Sequence, residues 1–322
     1  MDGFTANTLP VEIVGAKTIA YGAGLFVVPY GNYVATSPDG QTWTVRALGL
    51  SFGEDWSSII YANGRFVAVS QARFGQSASQ VAITSPDGIT WTQRTMPTST
   101  EWQDVAFGNG LFLAVSRASG RAATSPDGAT WTARTLVNRS WSGVIFGNGR
   151  FVIHAGGTSQ SNELTHSTDG INFTFSGVSG IYLPVPGYWR GVFANSRFVL
   201  VSESHTESLV SFDGLSWTTG TMPGAPATAL WNRMAYGDGK FFTASRNLSD
   251  TAALPNGSIA TSVDGLTWNL IVSSTGNESQ GVAYGNARFV GVSSSGGSTK
   301  AMVYEPPPPV FWRSFVGSQE LP

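Results

Sequence analysis

A hairpin phrase written six times, a second phrase written seven times and a mean spacing of about 44 residues predict an all-β chain, a seven-bladed β-propeller with four antiparallel strands per blade. The hairpin phrase is typified by "AATSPDGATWTART" at residues 122–135 and returns from Val34, Ala82, Leu164, Leu209 and Ile259. The second is typified by "FGNGRFVIHA" from Phe146, and its phenylalanine recurs at 26, 66, 112, 151, 198, 241 and 289. One such unit cannot bury its own apolar faces, so copies must stack on one another.

Each period reads as four strands, A to D. Strand A is typified by "WSSIIY" from Trp56, and Asn63-Gly64 after it supplies the two positive-φ positions of a type I′ hairpin. Strand B is "RFVAVS" and strand C is "VAITS". Between C and D, Ser85-Pro86-Asp87-Gly88 fits a type I turn, with proline presetting φ at its second position. Strand D, "ITWTQRT", closes the blade. Strands A and B are apolar on both faces, as strands covered by neighbouring blades must be, whereas the Thr and Arg of strand D suit an outer edge in water. Trp43, Trp91, Trp131, Phe173, Trp217 and Trp268 then read as plugs between blades. Asp39, Asp87, Asp127, Asp169, Asp213 and Asp264 are one per blade and far apart, which assigns them to turn amides rather than to chemistry.

Six C–D hairpins against seven A–B hairpins leave one blade incomplete. The opening "FTANTLP" lines up with "WTARTL" of blade 3, so it is a strand D without its own strand C. The stretch "TKAMVYE" at residues 299–305 is a strand C without a strand D. Their pairing closes blade 7 and leaves no free sheet edge. Residues 1–305 are thus the propeller. Residues 306–322, "PPPPVFWRSFVGSQELP", are a polyproline spacer and an aromatic tail, whose Phe311, Trp312 and Phe315 either fold back onto the ring or dock on a partner protein.

Composition narrows the function. Lys+Arg total 18 against 20 Asp+Glu, a net charge of -2, so neither nucleic acid nor an anionic membrane is an expected partner. No apolar run approaches the roughly 18 residues of a spanning helix. Cysteine is absent, which excludes disulfides and thiolate metal sites. The start "MDGFTANTLP" lacks the basic and apolar regions of a classical signal peptide. No metalloprotease, nucleophile-elbow, P-loop or dinucleotide motif occurs, and no catalytic residue, metal or cofactor is expected.

The six hairpins resemble the Asp-box, or bacterial neuraminidase repeat, of sialidase-like propellers. The pattern here is a shortened Ser-x-Asp-Gly-x-x-Trp at Ser37, Ser85, Ser125, Ser211 and Ser262, with Phe173 replacing tryptophan in the copy from Ser167. The resemblance implies a propeller fold and a turn-stabilising role for the box. It does not extend to the sialidase arginine triad, tyrosine nucleophile or aspartate acid/base, for which no matching stretch is present. Hairpins of this kind are similar to those of bacterial surface proteins and tailed-phage virions, which implies a virion or extracellular setting.

Strand direction places the A–B and C–D turns on one face of the ring. The B–C and D–A connections, long and variable, lie on the other, where recognition is expected. That face receives the start of every strand A, with Trp56, Trp102, Trp141, Trp189 beside Tyr188, and Trp231. These rings are candidate platforms for sugar stacking, with Arg139, Arg190 and Arg233 as polar contacts; the alternative is packing between blades. The reading is a non-enzymatic recognition or assembly module that binds surface glycan or a partner protein. Two alternatives are a glycan hydrolase drawing paired carboxylates from Glu54, Asp55, Glu101, Asp104, Glu203 and Glu207, and an intracellular protein-interaction scaffold.

Overall fold

The computed structural model describes residues 4–13, 15–73, 75–118, 120–156, 163–177, 189–202, 207–223, 230–246, 258–272, 280–292 and 300–305. The A–B turns are built as their sequence requires. Asn63, Asn109 and Asn148 adopt φ of 49°, 48° and 45°, and Gly64, Gly110 and Gly149 follow at 71°, 78° and 73°. Two successive left-handed residues give the type I′ turn whose twist matches the flanking strands.

The C–D turns repeat one hydrogen-bond design. In blade 2, Gly88 N–H donates to Ser85 Oγ at 2.8 Å, and the Ser85 hydroxyl donates to Asp87 Oδ1 at 3.0 Å. The same carboxylate oxygen accepts the backbone N–H groups of Ile89 and Thr90, each at 2.8 Å, and Trp91 Nε1 donates to the Gly88 carbonyl at 3.0 Å. Asp39, Asp127, Asp169, Asp213 and Asp264 each accept two backbone N–H groups in the same way. The N–H groups of Thr90 and Ile89 hold the Asp87 carboxyl below the usual range. These carboxylates are turn braces.

Strands joined by these turns form seven four-stranded antiparallel sheets. Blade 3 is typical, with Trp102–Gly108, Leu111–Ser116, Arg121–Ser125 and Thr132–Thr135 in chain order from the axis outward. Blade 7 departs from chain order. Gly281–Gly285, Arg288–Val292 and Lys300–Tyr304 are completed by Phe4–Thr8, in a register running from Phe4 opposite Tyr304 to Thr8 opposite Lys300. The predicted latch is therefore observed, and a 3-10 turn at Val11–Ile13 leads from it into blade 1.

Seven apolar clusters, one per seam, fill the spaces between blades. Trp131 packs with Val67 and Val69 of blade 2 as well as Phe112 and Ala123 of its own blade. Trp43, Trp91, Phe173, Trp217 and Trp268 occupy the corresponding seams. The seams are also tied on the turn face, where Arg65 Nη1 of blade 2 donates to the Asp127 carbonyl of blade 3 at 2.7 Å. Blade 4 reaches blade 5 through Arg150 and the Asp213 carbonyl at 3.0 Å, and blade 7 reaches blade 1 through Arg288 and the Asp39 carbonyl at 3.0 Å. Among the described residues no helix is long and apolar enough to cross a membrane. The tail residues Phe311, Trp312 and Phe315 lie outside the described residues, as do Tyr188 and most of the long loops at 157–162, 178–188 and 247–257.

Candidate functional site

The seven strands A line an axial channel of about 350 Å³. Its wall changes along the axis because every strand A runs from the long-loop face to the turn face. At the turn-face end the lining includes Tyr61, Phe107, Phe146 and Phe193, and midway it includes Ile59, Val105 and Ile145. At the long-loop end it becomes polar, with Thr18, Ser58, Asp104, Arg190 and Arg233.

Asp104 is the hub of the polar end. Its Oδ1 accepts the Ser58 hydroxyl at 2.6 Å and its Oδ2 accepts the Val144 N–H at 3.2 Å, so one carboxylate ties blades 2, 3 and 4. Arg233 comes from blade 6, three blades away one way around the ring and four the other. Its guanidinium lies 3.8 Å from Asp104 Oδ1 and also donates to the Ser57 carbonyl of blade 2. The side chain therefore spans the channel mouth. Arg190 of blade 5 donates to the Ser142 carbonyl of blade 4 at 2.7 Å. Two guanidinium groups against one carboxylate leave the described lining with a formal excess of one positive charge. At the rim, Lys17 pairs with Asp55 at 2.8 Å and Gln103 donates to Gln71 at 2.7 Å.

Behind this wall lies His154, buried on strand B of blade 4. Its Nδ1 is 2.9 Å from Ser142 Oγ. Burial, with the nearby Arg190 charge adding to it, lowers its pKa to about 3, so the imidazole is neutral at pH 7. Gly143 makes the room for it, since a Cβ there would fall 2.5 Å from His154 Nε2 and 3.0 Å from Asp104 Oδ2.

The five tryptophans expected at the mouth are placed elsewhere. Trp56, Trp102, Trp141, Trp189 and Trp231 are all buried in the seams between blades. Trp56 Nε1 donates to the Gly31 carbonyl at 3.0 Å and Trp141 Nε1 to the Val137 carbonyl at 3.1 Å. Their rings are inter-blade packing and present no face for a sugar to stack on. A register shift follows Trp102, Trp141 and Trp231 and brackets Trp56; each irregularity interrupts the alternation that would otherwise set which side the ring takes. Of the expected polar contacts, Arg190 and Arg233 line the channel, whereas Arg139 is exposed on the rim and paired with Glu163. Among the described residues Asp104 alone of the six proposed carboxylates lines the channel. Asp55 is held by Lys17 at the rim, Glu54 is buried accepting the Ser70 and Ser79 hydroxyls, and Glu203 is outside the described residues. Among the described residues no group of three His, Asp or Glu could hold a metal ion. Arg190 and Arg233 were legible as arginines beside a strand A start; Asp104 was one of six carboxylates, and His154 gave no signal beyond being one of three histidines.

Ring and channel define a seven-bladed propeller with a polar axial mouth. No family model matches the sequence, and no curated protein does. Solved structures share the fold. Virginiamycin B lyase from Staphylococcus aureus superposes with a TM-score of 0.75 at 12% identity over 94% of this chain and 99% of its own. YCF48 bound to D1 peptide gives 0.69 at 14% over 95% and 96%, and a chain of the mitotic checkpoint complex gives 0.65 at 7% over 94% and 91%. These likenesses establish the fold alone. They also correct one expectation. A chain without a catalytic motif is expected from sequence to be no enzyme, yet a propeller of this architecture is a lyase, and a histidine-to-alanine variant of that lyase, solved with quinupristin, is catalytically inactive. A missing motif does not exclude catalysis on this ring.

Proposed function

We propose that the chain is a recognition propeller that receives an acidic peptide segment of a partner protein at the long-loop mouth of its axial channel. Arg190 and Arg233 take the peptide carboxylate. The observation that carries this reading is the charge arrangement of the mouth, where two guanidinium groups face the channel and Asp104, the one lining carboxylate among the described residues, already accepts bonds from Ser58 and Val144. An incoming carboxylate there makes charge-assisted hydrogen bonds in a partly dehydrated channel, where they are stronger than in water. Burial of the five indoles favours peptide over glycan, because sugar recognition loses its stacking surfaces. That a propeller of this shape holds a peptide in the YCF48 structure supports the same choice. Kinship of the hairpins with the Asp-box, and a virion or cell-surface setting, belong to this proposal and rest on the hairpin phrase.

The test presents acidic and neutral peptide arrays, with a glycan array beside them, to the protein and to its Arg190→Gln and Arg233→Gln variants. Acidic peptides are retained, and each variant weakens them by about 10- to 100-fold, the range for a lost hydrogen bond to a charged group. Equal retention of neutral and acidic peptides, or glycan binding indifferent to both substitutions, overturns the proposal.

A further inference from the structure

The turn face carries a second, separate feature. Around the ring, the A–B turn of one blade reaches the C–D turn of the next: Arg65 to the Asp127 carbonyl, Asn109 to the Thr168 carbonyl, Asn148 to the Phe212 carbonyl, Arg197 to the Asp264 carbonyl and Asn286 to the Pro38 carbonyl. Blades 1 and 6 are outside this set of five, and blade 6 differs in what it faces. Its A–B turn reads Asp238-Gly239-Lys240, all three exposed, and the blade it faces has no C–D hairpin, because its outer strand is Phe4–Thr8 from the other end of the chain. At this position the chain leaves the sheet. Strand C of blade 7 ends at Tyr304, and Glu305 is held on the turn face by Arg288 at 3.3 Å.

Two apolar side chains stand exposed on the C–D turns of the two blades that precede that exit. In the C–D turns of blades 1, 2 and 3 the residue after the box serine is Pro38, Pro86 or Pro126, but in blades 5 and 6 it is Phe212 and Val263. These are 62% and 60% exposed, the two most exposed large hydrophobic side chains among the described residues, and Leu215 beside Phe212 is 41% exposed. Blade 6 is the immediate neighbour of blade 7. The chain continues from Glu305 into four prolines, which as a polyproline II segment span about 12 Å. Val310, Phe311, Trp312 and Phe315 come directly after that spacer. The sequence thus supplies an apolar segment whose root lies one blade from exposed Val263 and two from exposed Phe212, whose ring also carries the Arg197 guanidinium at 5.3 Å.

We propose that residues 306–322 fold back over the turn face and cover Val263 and Phe212 of their own chain. The closed ring then presents its long-loop face to ligand with its turn face capped, so that the two faces are chemically distinct.

The chain has no cysteine, so an engineered pair is unambiguous. Val263→Cys combined with Trp312→Cys, under mild oxidation, gives an intrachain disulfide at a yield independent of protein concentration. The control pair of Ile89→Cys in blade 2 with Trp312→Cys gives none. In the unsubstituted protein trypsin cleaves after Arg313 about tenfold more slowly than in the Phe212→Ser, Val263→Ser double variant, since cleavage follows the population of the undocked segment. Disulfides found only between chains assign Val263 to a second copy and overturn the proposal. Equal crosslinking of the test and control pairs, or equal cleavage after Arg313 in the two proteins, overturns it as well.

Discussion

His154 makes the stability of this ring depend on pH in a calculable way. Its imidazole is buried, bonded to Ser142 and held at a pKa of about 3, whereas in the unfolded chain it titrates near its usual 6.5. Between those values the unfolded chain binds a proton that the folded ring refuses. The contribution is complete above about pH 6.5 and is lost progressively as pH falls towards 3. Each pH unit inside the window is worth about 1.4 kcal/mol, so the loss from pH 7 to pH 5 is about 2 kcal/mol and the full window is of order 5 kcal/mol. Replacement by asparagine keeps a polar atom near Ser142 and removes the titration. Urea unfolding of the protein and of His154→Asn at pH 7, 6 and 5 measures the effect, and other titrating groups cancel in the difference. The substitution is destabilising at pH 7, and its cost shrinks by about 2 kcal/mol at pH 5. Parallel stability curves for the two proteins, or an imidazole NMR resonance removed by His154→Asn that titrates near pH 6.5, would refute the burial argument.

Three further outcomes follow from the same geometry. Trp102→Ala opens a cavity in the seam between blades 2 and 3, costing about 3 to 5 kcal/mol in chemical denaturation while leaving peptide affinity at the mouth unchanged. Gly147→Val sets a Cβ 2.0 Å from the Phe193 ring and lowers stability by about 1 to 3 kcal/mol; the melting temperature reports it. In Asp127→Asn the brace to Thr130 and Ala129 weakens. Because those N–H groups depress the folded carboxyl below its usual value, the stability gap from the parent is full at pH 6 and closes as pH falls below about 4, which acid titration followed by circular dichroism will show.

The architecture was open to sequence reading because its signals are local. Asn-Gly at an A–B turn permits two positive-φ residues whatever surrounds it, and Ser-Pro-Asp-Gly builds its turn from atoms within three residues. Even the closure of blade 7 was legible, since an unpaired strand D and an unpaired strand C must find each other if the sheet is to have no edge. The mouth was less legible because it depends on long-range geometry. Trp102 begins a strand at the mouth of a channel in either reading, and its ring belongs to the seam of a core assembled from two blades. Arg233 and Asp104 are far apart in sequence and on opposite sides of the ring, and their approach to 3.8 Å depends on the channel radius, which no local pattern encodes.

The most direct test of the mouth is a double-mutant cycle in affinity. An acidic peptide selected by the protein and its twin with each Asp and Glu replaced by Asn and Gln are titrated calorimetrically against the protein and against an Arg190→Gln, Arg233→Gln double variant. If the peptide carboxylate sits between the two guanidinium groups, neutralising either side removes the same interaction, and the two losses fall short of additivity by about 1.5 to 3 kcal/mol. Additive losses would place the acidic group somewhere other than Arg190 and Arg233 and contradict the account.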